Sequence, residues 1–146
     1  MSNIFIEQRI INAVRGLLTG RVNEILRELD FPIPIIEFGN YGCGCAISPK
    51  ISLTYCECTE KERIIRLDAY SLTIAFSVRE MPESELYCYT YANAMCKAVG
   101  EDTTLGRIAD RAVVKGKKYN PPENPCCGEN WEVILTMRVT VEGMRS

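Results

Sequence analysis

Two runs of alternating residues constrain this chain more than any other feature. In Tyr70-Ser-Leu-Thr-Ile-Ala-Phe-Ser-Val78, the residues Tyr70, Leu72, Ile74, Phe76 and Val78 share one side, and Ser71, Thr73, Ala75 and Ser77 share the other. In Trp131-Glu-Val-Ile-Leu-Thr-Met-Arg-Val-Thr-Val141, the odd-numbered positions from Trp131 to Val141 are apolar. Glu132, Thr136, Arg138, Thr140 and Glu142 oppose them, with Ile134 as the exception. A period of two is that of a strand with one buried face. Such strands call for an antiparallel sheet covered on one side.

The cover comes from two helical stretches. Residues 4–29 place Ile4, Ile6, Ile10, Ile11, Val14, Leu17, Leu18, Val22, Ile25, Leu26 and Leu29 at helical spacing. Gly16 and Gly20 predict a bend or a division into two helices, and Pro32 and Pro34 end the run. Core packing is the plain reading of this helix, and an arm docking on a neighbouring subunit is the sharper one. A second helix is predicted from Glu83 to Val99, after the break at Met81-Pro82. Acidic Glu83 and Glu85 lie at its positive end, Lys97 near its negative end, and Gly100 at the C-cap. Its buried stripe is Cys88, Tyr91, Ala92, Met95 and Val99. Residues 112–119 predict a strand with a basic outer face, and Asn120-Pro-Pro-Glu-Asn-Pro-Cys-Cys-Gly128 a loop or hairpin tip.

Between the first helix and Tyr70 the pattern weakens. Ile33–Phe38 is a short extended apolar run, Gly39–Gly44 turn-like, Ile51–Cys56 alternating, and Thr59–Arg63 a charged turn. The fold class that follows is α+β: a mostly antiparallel sheet of about four strands with two main helices packed on one face. The length of 146 residues suits one domain, read as an N-terminal helix or arm (1–30), a Cys-containing irregular or hairpin segment (31–66) and a core (67–146).

Composition excludes several functions. Seventeen basic and nineteen acidic residues leave a net charge of −2, which provides no basic footprint for direct nucleic-acid binding and no polybasic membrane patch. No apolar run approaches the roughly 20 residues that span a bilayer. Met1-Ser-Asn-Ile-Phe-Ile6 lacks the basic start of a secretory signal, and Glu7 and Arg9 interrupt it. The expectation is a protein made and kept in a cytoplasm. Histidine is absent, so Ser-His and Cys-His pairs and histidine metal ligands cannot form within the chain.

Eight cysteines point toward chemistry. Cys43-Gly-Cys45 and Cys56-Glu-Cys58 are two C-x-C pairs, and a hairpin between them would let four thiolates converge on zinc. C-x-C puts both side chains on one face of a strand, although C-x2-C is the more usual zinc spacing. The alternatives are reduced cysteines packing as small apolar residues, and cross-strand disulfides formed outside the cytoplasm. Cys126-Cys127 are adjacent and strained for mutual bridging, while Cys88 and Cys96 read as helix packing. Glu83 and Glu85 suit the helix dipole better than an acid/base pair. Arg107, Asp110 and Arg111 suit a surface charge set or subunit contact, and Lys115, Lys117 and Lys118 a solvated face or a dock for an acidic partner. Gly39–Gly44 lacks the helix and Lys of a phosphate loop. The expectation is no catalytic residue, no cofactor and no enzyme.

Residues 70–141 resemble the tail terminators of long-tailed bacteriophages, lambda-type minor tail proteins that cap the tail tube. The resemblance lies in the strand ending Arg79-Glu-Met-Pro82 and in the helix start Pro82-Glu-Ser-Glu-Leu86. It lies also in Leu105-Gly-Arg-Ile-Ala-Asp-Arg-Ala-Val-Val114 with Lys118-Tyr119, and in the closing strand Trp131–Val141. The long N-terminal helix and the cysteine stretch depart from that pattern. The resemblance implies a phage or prophage structural protein of the virion tail, assembled in the bacterial host cytoplasm. It would form a homo-oligomeric, hexameric ring between the tail tube protein and the head-tail connector protein, stopping tube growth and serving head-tail joining. A head completion or connector protein of the same virion is the alternative. A small cytosolic module stabilised by zinc on Cys43, Cys45, Cys56 and Cys58 is the alternative from another class.

Overall fold

The structure, a computed structural model, describes residues 5–38, 47–60, 65–123 and 130–144. The two alternating runs become its centre. Strand β2 (Ile65–Arg79) pairs antiparallel along its whole length with β4 (Asn130–Met144). Strand β1 (Lys50–Glu60) flanks β2, and β3 (Arg111–Asn120) flanks β4. One antiparallel sheet in the order β1-β2-β4-β3 results. With helices packed on one face of it, the architecture is α+β, as the periodicity predicts.

Cross-strand register sorts the side chains. Leu53, Leu72, Met137 and Val114 form one row on the helix side, and Ile51, Ile74 and Leu135 begin the next. Leu72, Ile74, Leu135 and Met137 are at most 1% exposed. On the opposite side the rows are Ser52-Thr73-Thr136-Gly116 and Lys50-Ala75-Ile134-Lys118. Both outer strands carry a β-bulge, β1 between Leu53 and Tyr55 and β3 between Val114 and Gly116. A bulge adds one residue and reverses the facing of everything beyond it.

The N-terminal helix runs as α1 (Ile6–Leu17), a π-helical turn (Leu18–Val22) and α2 (Asn23–Arg27) without a break. The predicted irregularity around Gly20 is thus a π turn. Ile10, Val14, Leu18 and Val22 are buried in the shared core, so the helix covers its own sheet. Helix α3 (Ser84–Glu101) buries Cys88, Tyr91, Ala92, Met95 and Val99 as its pattern predicts. Gly100 is not its C-cap: the helix includes Gly100 and Glu101 and ends at Asp102. Arg21 of the π turn holds that last residue, with Nε 2.7 Å from Glu101 Oε1.

Asn23 fastens the segment that follows. Only 2% exposed, it accepts from Ile36 N and donates to Ile36 O, both at 2.8 Å, and also donates to Thr19 O at 3.2 Å. The Tyr87 hydroxyl donates to Pro32 O at 3.1 Å, and Tyr91 donates to Pro34 O. Ile36 then forms a parallel bridge with Ile47. The predicted turn over Thr59–Arg63 is corrected at its start, because Thr59 and Glu60 continue β1 opposite Leu67 and Arg66. Residues 61–64, the Gly39–Gly44 turn and the loop cysteines Cys126 and Cys127 lie outside the described residues.

Candidate functional site

The sheet leaves two kinds of surface. β1 and β3 are the outer strands, and among the described residues no further strand pairs with either, although the Ala112 N–H at the start of β3 donates to Thr103 O at 2.6 Å. The face opposite the helices carries Ser71, Thr73, Ala75 and Ser77 on β2 and Glu132, Ile134, Thr136 and Arg138 on β4. The small side chains of β2 lie beside the longer Glu132, Ile134 and Arg138 of β4, and no described helix lies on this face. On the other layer, Leu86 and Tyr89 of α3 are 47% and 43% exposed beside a groove of about 380 Å³ shared with Ile25 and Leu29. Among the described residues no helix is long and apolar enough to cross a membrane.

The residues singled out for chemistry separate in space. Glu83 precedes α3 and Glu85 lies in its first turn, both exposed. Asp110 is an edge device: its backbone N donates to Thr140 O at 2.9 Å and its carboxylate accepts from Glu142 N. Arg111 begins β3 opposite Thr140, while Arg107 stands in a left-handed turn with Leu105 and Gly106, at φ of 71°, 50° and 70°. Asp110 therefore serves the start of the strand, while the Arg107 and Arg111 side chains are exposed. Lys115, Lys117 and Lys118 are exposed on β3, and Lys117 Nζ donates to Asn93 Oδ1 at 3.1 Å.

The cysteines divide likewise. Cys88 is fully buried, and desolvation pushes its thiol up to about 11. Cys96 is half-buried on α3. Cys43 and Cys45 lie outside the described residues, so the four-cysteine arrangement is not placed. Cys56 and Cys58 do come together on β1, with Sγ atoms 3.8 Å apart.

A residue that sequence reasoning passed over completes this group. Asp68 lies directly across from Cys58 in the β1–β2 register, and its carboxylate stands within 4.8 Å of both sulfurs. Asp68 is 8% exposed. Arg66 Nε and Nη2 lie 3.0 Å from its two oxygens, but the buried Oδ1 receives no directed hydrogen bond. Hydrogen bonding to Asp68, followed by Cys56, pushes the Cys58 thiol up to about 11. Tyr70, next on the same face, points its hydroxyl at Glu7 Oε2 of α1 at 3.4 Å, and burial raises its pKa. Only the strand register could have revealed Asp68, which in the sequence is one charged residue before an alternating run.

The sequence matches no family model and no curated protein.

Proposed function

We propose that this chain is a structural assembly subunit whose work is to occupy a place in a homo-oligomeric ring. Following the resemblance of residues 70–141 to tail terminators, the ring would close a phage or prophage tail tube, stop its growth and offer a surface for head attachment. The observation that carries the reading is a sheet in which, among the described residues, no further strand pairs with β1 at one edge or β3 at the other. Two different open edges on opposite sides of one subunit suit a head-to-tail contact, in which β1 of one copy meets β3 of the next. Contacts of that kind generate rings when the rotation per subunit closes. The outer face, with no described helix over it, would add a broad surface for stacking on a tube, where many modest contacts repeated by symmetry would supply the affinity. Binding and exclusion are sufficient for this role, and no covalent step enters it.

Native mass spectrometry and negative-stain microscopy of the purified protein, alone and mixed with tail-tube subunits, test the proposal. A closed ring, free or seated on the end of a tube, is the expected result. A strict monomer that leaves tube growth unchanged would overturn it.

A further inference from the structure

We propose that Cys56, Cys58 and Asp68 form a binding site for a thiophilic divalent cation of the zinc type. The donor set differs from the four cysteines that the sequence suggests, because a carboxylate from the neighbouring strand takes part. The inference stands independently of ring assembly.

Strand geometry assembles the site. Cys56 and Cys58 are two apart, so both side chains leave β1 on the same face. That face is decided by the bulge. Ile51 and Leu53 point toward the helices, and continued alternation would turn Cys56 and Cys58 to the outer face. The extra residue between Leu53 and Tyr55 reverses the phase, setting Cys56 beside Tyr70 and Cys58 beside Asp68. A bulge that re-aims two thiols at a buried carboxylate is a specific arrangement in an edge strand that is otherwise mostly exposed.

Distances agree with one shared ion. With zinc–sulfur bonds of about 2.3 Å, two thiolates on a tetrahedral ion stand about 3.8 Å apart. The sulfurs are already 3.8 Å apart, and all three donor atoms lie within 4.8 Å of one another. The Asp68 carboxylate, whose buried Oδ1 has no directed hydrogen bond although Arg66 Nε stands 3.0 Å from it, supplies an oxygen donor. Arg66 grips the same carboxylate, an outer contact that orients a metal-binding carboxylate and limits its rotation. Charge is balanced too. Two thiolates and one carboxylate exceed a divalent cation by one negative charge, and the Arg66 guanidinium offsets it. Thiolate donors select zinc-like ions over magnesium or calcium, and three protein donors leave the fourth tetrahedral position to water.

Cobalt(II) titration of the reduced, chelator-treated full chain, followed by zinc competition, tests the site. One cobalt per chain is expected, with a sulfur-to-cobalt charge-transfer band, tetrahedral ligand-field bands, and loss of both on adding zinc. Cys56→Ser and Cys58→Ser should each remove most of the charge-transfer intensity, and Asp68→Asn should weaken binding while keeping the band. Cys88→Ala and Cys96→Ala should leave both unchanged. X-ray absorption of the zinc-loaded native chain, which needs no substitution, should count two sulfur neighbours with oxygen completing the shell. Absence of a band in the native chain, or its survival in the Cys56→Ser/Cys58→Ser double variant, would overturn the proposal. So would four sulfur neighbours whose binding is lost in Cys43→Ser/Cys45→Ser and indifferent to Asp68→Asn.

Discussion

The two faces of the sheet share one backbone and differ in what lies above them. On the helix side, Leu72, Ile74, Leu135 and Met137 are sealed under α1 and α3. On the other side, Thr73, Ala75, Ile134 and Thr136 sit between the same strands with no described helix over them. The apolar face supplies the free energy of folding, roughly 1.5–3 kcal/mol for each large side chain taken from water. The outer face contributes far less to folding and is free to be selected for contact. The difference teaches that core residues and solvent-facing residues alternate along the same strands, so substitutions can separate folding from the assembly proposed for the outer face.

The largest effect should come from the sealed face. Leu72→Ala leaves a cavity in the core between the sheet and the helix layer and should destabilise the chain by about 2–5 kcal/mol in urea unfolding. A cost well below 1 kcal/mol would mean that the helix layer does not close over the sheet. Next comes the clamp between that layer and its connecting segment. Asn23→Ala strips partners from the Ile36 N–H and C=O and should cost about 2 kcal/mol, near the middle of the range for an orphaned buried group. Hydrogen exchange at Ile36 should accelerate in the same variant, and unchanged protection would disconnect Asn23 from the segment. The smallest effect on stability belongs to the outer face. Thr136→Lys should shift unfolding by no more than about 0.5 kcal/mol, yet it places a long cation in the middle of the outer face and should reduce the tube binding proposed for it. Unfolding of this variant would erase the distinction between the two faces.

What the sequence made legible follows from these layers. Period two in β2 and β4 and the 3.6-residue period in α1 and α3 are properties of neighbouring residues, so inward and outward positions could be assigned from pattern alone. Non-local contacts escaped. Asn23 looks like a polar interruption in an apolar helix, because its partner is the backbone of Ile36. Gly100 resembles a cap, but Arg21 reaches across from the other helix to the residue beyond it. Asp68 joins the cysteines only once β1 and β2 are paired in a particular register. The bulge that turns Cys56 and Cys58 inward leaves no signature in Leu53-Thr-Tyr55, where an unbroken alternation reads equally well.

The same irregularity recurs on the far side of the sheet, where β3 bulges between Val114 and Gly116. An unbulged open edge accepts any extended chain at any register and passes its own pattern on, which is how stacked strands propagate without limit. A bulge breaks the hydrogen-bonding rhythm after a few residues and adds local twist. A strand arriving from another copy can match only a short stretch, at one angle. With such an interruption in each outer strand, neither offers a long unbroken template for open-ended strand stacking.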